Sequence, residues 1–112
     1  MLTICAGGDQ TEETKIPIRD GYYSIGSLKK SSSIYVRGVG VSGLHALLQA
    51  EKGYFFIEDL ESTNGTIFGQ SSGLKLLPRR SYQLLDGQIF MIGPTKLQFN
   101  FKKDLKISPL KV

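Results

Sequence analysis

The chain has 112 residues, of which 40% are hydrophobic and 21% charged, and its formal net charge is +4 at pH 7. This size suits one domain with a modest core, and no apolar run is long enough to span a membrane. The single cysteine, Cys5, excludes an internal disulfide, so we expect a buried thiol and a reducing compartment. The basic charge mildly favours acidic partners.

Short runs of alternating polarity follow one another along the sequence, and no window shows the 3.6-residue period of an amphipathic helix. Glycine-rich turns separate these runs, Pro17 confines the second of them to a sheet edge, and Asp20-Gly21 predicts a hairpin turn. The predicted strands are residues 2–6, 15–18, 22–26, 34–36, 45–50, 54–59, 67–68, 74–76, 82–84, 89–92 and 96–101. We therefore predict an all-β sandwich of two antiparallel sheets with about eleven strands over residues 1–101, then a basic, flexible tail at 102–112.

A polar turn with the sequence STNGT, residues 62–66, follows the sixth predicted strand. Asp59 closes that strand and can cap backbone donors of the turn, whose Asn-Gly pair suits positive φ. We expect Ser62, Thr63 and Asn64 to present a row of polar groups on a rigid edge. Such a row suits a small polar ligand or the backbone of an extended peptide.

Several short motifs resemble those of the forkhead-associated (FHA) domain and occur in that family's order. They are Ile25-Gly26, Val41-Ser42 with His45, Asp59-Leu60, residues 62–66, Leu85-Asp86-Gly87, Ile92-Gly93 and Leu97-Gln98-Phe99. The match covers roughly residues 2–101. The resemblance implies a β-sandwich whose loops at one end bind phosphothreonine peptides. The positions to which we give a structural role are Gly26, His45, Asp59, Gly65, Gly87 and Gly93.

The resemblance also assigns the phosphate-binding positions, and both cationic ones are changed in this sequence. Ser27 stands where the family has an arginine that grips the phosphate, and Gly43 replaces a basic or polar residue. Ser42 matches a hydroxyl that donates to the phosphate, Thr63 a frequent phosphate contact, and Asn64 the side chain that holds the peptide backbone. Losing a charged two-pronged donor costs roughly 3 kcal/mol, or about two decades in affinity. We predict weak or absent phosphothreonine binding.

Nearby cations leave an alternative open. Lys29, Lys30 and Arg37 are close in sequence to the changed positions. A lysine can supply a point charge, although it lacks the planar fork of arginine. In this alternative the domain still reads phosphothreonine peptides, through Ser42, the Thr63-Asn64 pair and these surrogate cations.

Consecutive apolar residues on several strands place apolar side chains on both faces of a sheet. The runs are Tyr22-Tyr23, residues 54–56 and residues 89–92. A sheet that is apolar on both sides favours a protein partner, and we predict association with itself, as a homodimer, or with other proteins. Binding of nucleic acid or other anions by Arg79-Arg80 and the basic tail is a less favoured alternative.

No enzyme chemistry, cofactor or metal site is predicted. The sequence has one histidine and one cysteine, and neither Ser42 nor His45 has an acid partner in a catalytic pattern. By analogy within the FHA family, we expect an adaptor of the DNA-damage mediator group, such as a mutator-type relative. We also expect the N-terminal domain of a longer protein, without a signal peptide or membrane contact, in the nucleus or cytoplasm, with the nucleus favoured.

Overall fold

The computed structural model of the protein describes residues 2–5, 13–69 and 73–101, without the side chains of residues 4, 5 and 13. The predicted flexible tail at 102–112 and the predicted buried thiol of Cys5 therefore lie outside the described part. In that part, no helix is long and apolar enough to cross a membrane.

The regular structure of the described residues consists of eleven strands. They are β1 (Leu2–Cys5), β2 (Glu13–Ile16), β3 (Gly21–Gly26), β4 (Ile34–Tyr35), β5 (Ala46–Glu51), β6 (Tyr54–Asp59), β7 (Thr66–Phe68), β8 (Leu74–Lys75), β9 (Ser81–Gln83), β10 (Gln88–Ile92) and β11 (Thr95–Phe99). The predicted all-β class is confirmed, and the predicted strand ends shift by a few residues at most.

The strands form two sheets that pack face to face. The six-stranded sheet has the order β2-β1-β11-β10-β7-β8, and the five-stranded sheet has the order β4-β3-β5-β6-β9. All pairs are antiparallel except β3 and β4, where Ile25 lies opposite Ile34. The loop of residues 27–33 connects β3 to β4, and the chain leaves the loop in the same direction as it ran in β3.

The predicted hairpin turn at Asp20 and Gly21 is wrong, because β2 and β3 belong to different sheets. The segment after β2 instead crosses from one sheet to the other. The Asp20 carboxylate accepts a hydrogen bond from Lys52 N–H at 3.2 Å, which ties this crossing to the β5–β6 turn. Pro17 follows β2, an edge strand, where a missing backbone donor disrupts no central ladder.

The core lies between the two sheets and is built from side chains at every second strand position. Its largest fully buried members include Phe90, Phe99 and Leu97 of the six-stranded sheet and Ile57 of the five-stranded sheet. The Phe55 ring lies 4.5 Å from that of Phe99, centroid to centroid, across the interface. Burying each such side chain is worth about 1.5–3 kcal/mol. This packing fixes the strand ends from which the loops of one edge emerge.

Candidate functional site

Four loops meet at one end of the sandwich, and we call this end the loop edge. They are residues 27–33, 36–45, 60–65 and 93–94. Asn64 reaches the carbonyl of Gly40, and a methyl group built on Gly93 would meet Val41 Cγ2 at 2.9 Å. The six-stranded and five-stranded sheets thus both contribute loops to a single closely packed surface.

A buried network around Asp59 holds the turn of residues 62–65. Asp59 Oδ1 accepts hydrogen bonds from Ser62 Oγ at 2.6 Å and Thr66 Oγ1 at 2.7 Å. Its Oδ2 accepts Ser62 N–H at 3.0 Å, and Ser62 Oγ accepts Gly65 N–H at 2.9 Å. Hydrogen bonds to a charged acceptor are worth about 1.5–3 kcal/mol each. The turn is therefore held rigidly from below.

Ser62 departs from the predicted row of exposed polar groups. Its hydroxyl points inward and bonds Asp59, so only Thr63 and Asn64 of the turn present exposed side chains. The sequence could not separate these three residues, because all of them suit a turn. The buried Asp59 carboxylate, which accepts the Ser62 hydroxyl, decides which of the three residues turns inward.

His45 lies just before β5, rather than inside it, and links two of the loops. Its buried ring accepts Ser42 N–H on Nδ1 at 3.0 Å. Because Nδ1 accepts, the proton of the neutral ring is on Nε2, which donates to Gly65 O at 2.9 Å. The ring therefore fixes the position of Ser42 relative to the turn. No buried polar side-chain atom of the described residues lacks a hydrogen-bond partner.

Close backbone approach explains two glycines of this edge. A Cβ built on Gly26 would lie 1.9 Å from Gly43 O, so β3 and the loop of residues 36–45 come together only without a side chain there. Gly65 has a φ of 86°, and the carbon stem of Lys75 covers it. The other two glycines given a structural role, Gly87 and Gly93, also have positive φ.

Ser42 and Thr63 form a pair of hydroxyl groups on the loop edge. Ser42 Oγ accepts Thr63 N–H at 2.9 Å and donates to Thr63 Oγ1 at a long 3.4 Å. A contact of that length is weak, so a ligand acceptor can draw the Ser42 proton away from it. The exposed Thr63 hydroxyl is also a donor. The pair can therefore offer two neutral O–H groups to one anion.

Asn64 uses part of its amide to brace the loops. Nδ2 donates one proton to Gly40 O at 3.1 Å. An amide group has a second N–H donor and a carbonyl acceptor, and no contact within the described residues occupies either of them. One donor beside one acceptor matches the N–H and C=O groups of an extended peptide.

Ser27 does not point toward the hydroxyl pair. Its Oγ donates to Val41 O at 3.0 Å, and its N–H donates to Ser42 O at 3.0 Å. Ser27 thus holds its own loop, residues 27–33, against the loop of residues 36–45. Its only hydroxyl proton is already committed to the protein, and it carries no charge.

Gly43 lies beneath Leu28, a residue that the sequence analysis did not single out. A Cβ built on Gly43 would meet Leu28 Cγ and Cδ1 at 2.9 Å. Leu28 is 50% exposed, so it forms an apolar lid on the loop edge. Both positions at which the resemblance predicts a cation therefore belong to neutral, internally packed structure. Only the missing basic residue at Gly43 could have indicated this from the sequence.

The three candidate surrogate cations do not contact the hydroxyl pair. Lys29 Nζ lies over the Tyr35 ring, 5.7 Å from its centroid. Lys30 and Arg37 are exposed, and the structure gives neither an ion pair with the described residues. Within the described residues, none of these three cations forms an ion pair or hydrogen bond at the loop edge.

Lys75 is a second residue that the sequence analysis missed. With residues 76–78 it lines a cleft of about 360 Å³ on the far side of the turn, whose other walls are Asp59, Ser62 and Gly65. The contact with Gly65 spans ten positions of the chain and depends on the pairing of β8 with β7. No local pattern could have predicted it.

Comparison with curated proteins and family models finds matches of one kind. A family model of the FHA domain matches residues 23–93. An FHA domain-containing protein of Arabidopsis thaliana is 30% identical over 81 residues, which are 71% of this chain and 20% of that protein. The chain thus spans about a fifth of that relative's length.

Solved structures show the same architecture. The FHA domain of CT664 from Chlamydia trachomatis matches with a TM-score of 0.72 and 24% identity, over 90% of this chain and 96% of that one. EmbR of Mycobacterium tuberculosis, in complex with a low affinity phosphopeptide, gives a TM-score of 0.68 and 21% identity, over 88% of this chain and 24% of that one. Neither they nor the Arabidopsis relative is named as a DNA-damage adaptor, so that link stays a prediction.

Proposed function

The chain belongs to the FHA domain family, whose members are protein–protein interaction modules, and on that premise we propose a module that binds extended peptides with little dependence on phosphorylation. The loop edge keeps the groups that suit a peptide backbone and lacks the charges that select a phosphate. The domain acts as a scaffold rather than as an enzyme.

The environment of Ser27 is the observation that carries this proposal. Where the family has an arginine, this chain has a hydroxyl that bonds Val41 O. Moving Ser27 out to meet a ligand breaks that bond and gains no charge. Gly43, under Leu28, supplies no second cation. A phosphate at this edge would meet two neutral hydroxyl groups, which supply hydrogen bonds but neither a positive charge nor a two-pronged donor.

The remaining groups support binding of an uncharged strand. Asn64 has one amide donor and one carbonyl acceptor directed away from Gly40. Thr63 adds an exposed hydroxyl, and His45 holds both neighbouring loops in place. A preformed edge of this kind binds a peptide without a large ordering cost.

Peptide titration tests the proposal. We would immobilise a library with a fixed phosphothreonine and randomised flanks, beside the same library unphosphorylated, and measure binding of the whole chain. The wild type should prefer the phosphorylated library by less than about tenfold, since only neutral donors are present. Ser27→Arg should raise that preference by about ten- to a hundredfold.

Ser27→Ala is the matched control, because it removes the same hydroxyl without adding charge. It should leave the phosphate preference at the wild-type value. A wild-type preference of about a hundredfold or more would overturn the proposal and favour the reader assisted by Lys29, Lys30 and Arg37. No gain in Ser27→Arg would show that the loop edge is not the peptide site.

Self-association is a second candidate function, and the outer face of the five-stranded sheet favours it. Tyr22 on this face is 66% exposed, and it has Tyr54 and Phe56 as outward-facing neighbours on the same sheet. Aromatic groups on a solvent-facing sheet favour a protein partner. Sedimentation velocity over a range of concentrations tests this, and a monomer at every concentration would refute it.

A further inference from the structure

The outer face of the six-stranded sheet, which we call the basic face, carries apolar groups between lysines. Strand register places Lys75, Ile67, Met91 and Lys96 in one row across β8, β7, β10 and β11. The next row across β10, β11, β1 and β2 is Ile89, Gln98, Thr3 and Lys15. Register continues the first row onto Cys5 of β1 and Glu13 of β2, so the outward positions of this face hold three lysines and one glutamate.

The outer face of the five-stranded sheet, which we call the acidic face, has the opposite charge. Its outward rows contain Glu51 beside Tyr54 and Glu58 beside Leu47. Gln49 and Phe56 lie between them, and Tyr22 continues the Gln49 row on β3. On β5, β6 and β9, the outward positions within the pairing register hold these two glutamates and no cation. Described cations lie only at the borders of this face: Lys52 in the β5–β6 turn, Arg80 before β9, and Lys29 over Tyr35 at the β4 edge.

The two outer faces lie on opposite sides of one sandwich and are complementary to each other. Each combines an apolar centre with a net charge, which is positive on the basic face and negative on the acidic face. We propose that the basic face of one copy docks on the acidic face of a second copy, head to tail. This inference rests on the self-association proposed above and specifies the surfaces that meet. Opposite charges favour this contact, whereas like charges oppose pairing of either face with itself.

The size of the faces sets the strength of this contact. Strands about 4.8 Å apart and up to six residues long on the acidic face, or five on the basic face, give faces on the order of 20 Å by 20 Å. Two such faces bury on the order of 1,000 Å² in total, which is typical of weak, reversible contacts. Because the contact joins two different surfaces, a head-to-tail pair keeps a free acidic face at one end and a free basic face at the other. Such contacts add further copies unless the rotation closes a ring.

Paired charge reversal tests the arrangement by sedimentation velocity at concentrations from about 10 μM to about 1 mM, the range of weak contacts. The acidic-face variant is Glu51→Lys with Glu58→Lys, and the basic-face variant is Lys15→Glu with Lys96→Glu. Each variant alone should associate at least about tenfold more weakly than the wild type. An equimolar mixture should associate again, because the unaltered basic face of the first variant meets the unaltered acidic face of the second.

Lys30→Glu and Glu61→Lys are matched controls, since both residues lie on loops outside the two faces. They should associate like the wild type, and equal loss in these controls would overturn the proposal in favour of an effect of net charge alone. If only the acidic-face variant dissociates and the mixture shows no dimer, self-association stands but the head-to-tail arrangement fails. A wild type that stays monomeric at every concentration would overturn both the proposed self-association and the head-to-tail arrangement.

Discussion

The turn beneath the loop edge and the outer surface of that edge lie side by side but have different properties. Beneath the edge, Asp59, Ser62 and His45 form a network in which every buried polar side-chain atom is paired. On the surface, the two positions that the family gives to cations hold Ser27, latched to a carbonyl, and Gly43, covered by Leu28. The buried scaffold is therefore complete in this chain, although neither of these two surface positions holds a cation.

The difference has a physical origin. Removing a member of the buried network leaves unsatisfied polar groups, which cost about 1–3 kcal/mol each. Removing an exposed arginine leaves no buried polar group without a partner, because water hydrates the groups that the arginine contacted. Stability alone thus preserves the turn, whereas only ligand binding preserves the cation. This asymmetry predicts large effects of substitution below the edge and small effects on stability at its surface.

The largest expected effect is that of Asp59→Ala. This change leaves the Ser62 and Thr66 hydroxyls and the Ser62 N–H without their acceptor. We expect the free energy of unfolding to fall by roughly 3 kcal/mol, measured by urea denaturation. Glu58→Ala, at the neighbouring outward position, is the control and should change it by about 0.5 kcal/mol or less. Equal effects of the two substitutions would show that the network does not support the fold.

Two alanine substitutions sharpen the comparison. In Gly26→Ala the new methyl group meets the backbone carbonyl of Gly43 at 1.9 Å, so a strand end or loop must move. In Gly43→Ala it meets only the Leu28 side chain, which can rotate into solvent. We expect losses of about 2–3 kcal/mol and under about 1 kcal/mol, respectively. Thermal unfolding followed by circular dichroism measures both, and the reverse order would contradict the packing described above.

The smallest effect on stability is expected for Thr63→Val. The side chain is exposed, and its one contact through the hydroxyl oxygen is the long bond from Ser42. The free energy of unfolding should change by about 0.5 kcal/mol or less. Peptide affinity should fall by about fivefold, the value of one neutral hydrogen bond. Calorimetric titration with a peptide selected from the library measures this, and unchanged affinity would place the peptide elsewhere.

Most of the fold could be predicted from the sequence, because strand periodicity and turn residues are local signals. The eleven strands follow from alternating apolar residues such as those of β10 and β11. The error at Asp20 and Gly21 shows the limit, since a turn signal does not tell which sheet the next strand joins. The lid of Leu28 and the position of Lys75 depend on side chains packing between distant segments. Such contacts exist only once both sheets are assembled.

The outermost strands of both sheets have a consequence for aggregation. The free borders are β4 and β8 with two residues each, β9 with three, and β2, which Pro17 follows directly. Borders this short offer few unpaired amide groups to an incoming chain, and proline offers none. The molecule therefore resists fibril-like extension of its sheets through backbone pairing. We therefore expect its assemblies to depend on side-chain contacts, so that a surface substitution can dissociate them without unfolding the protein.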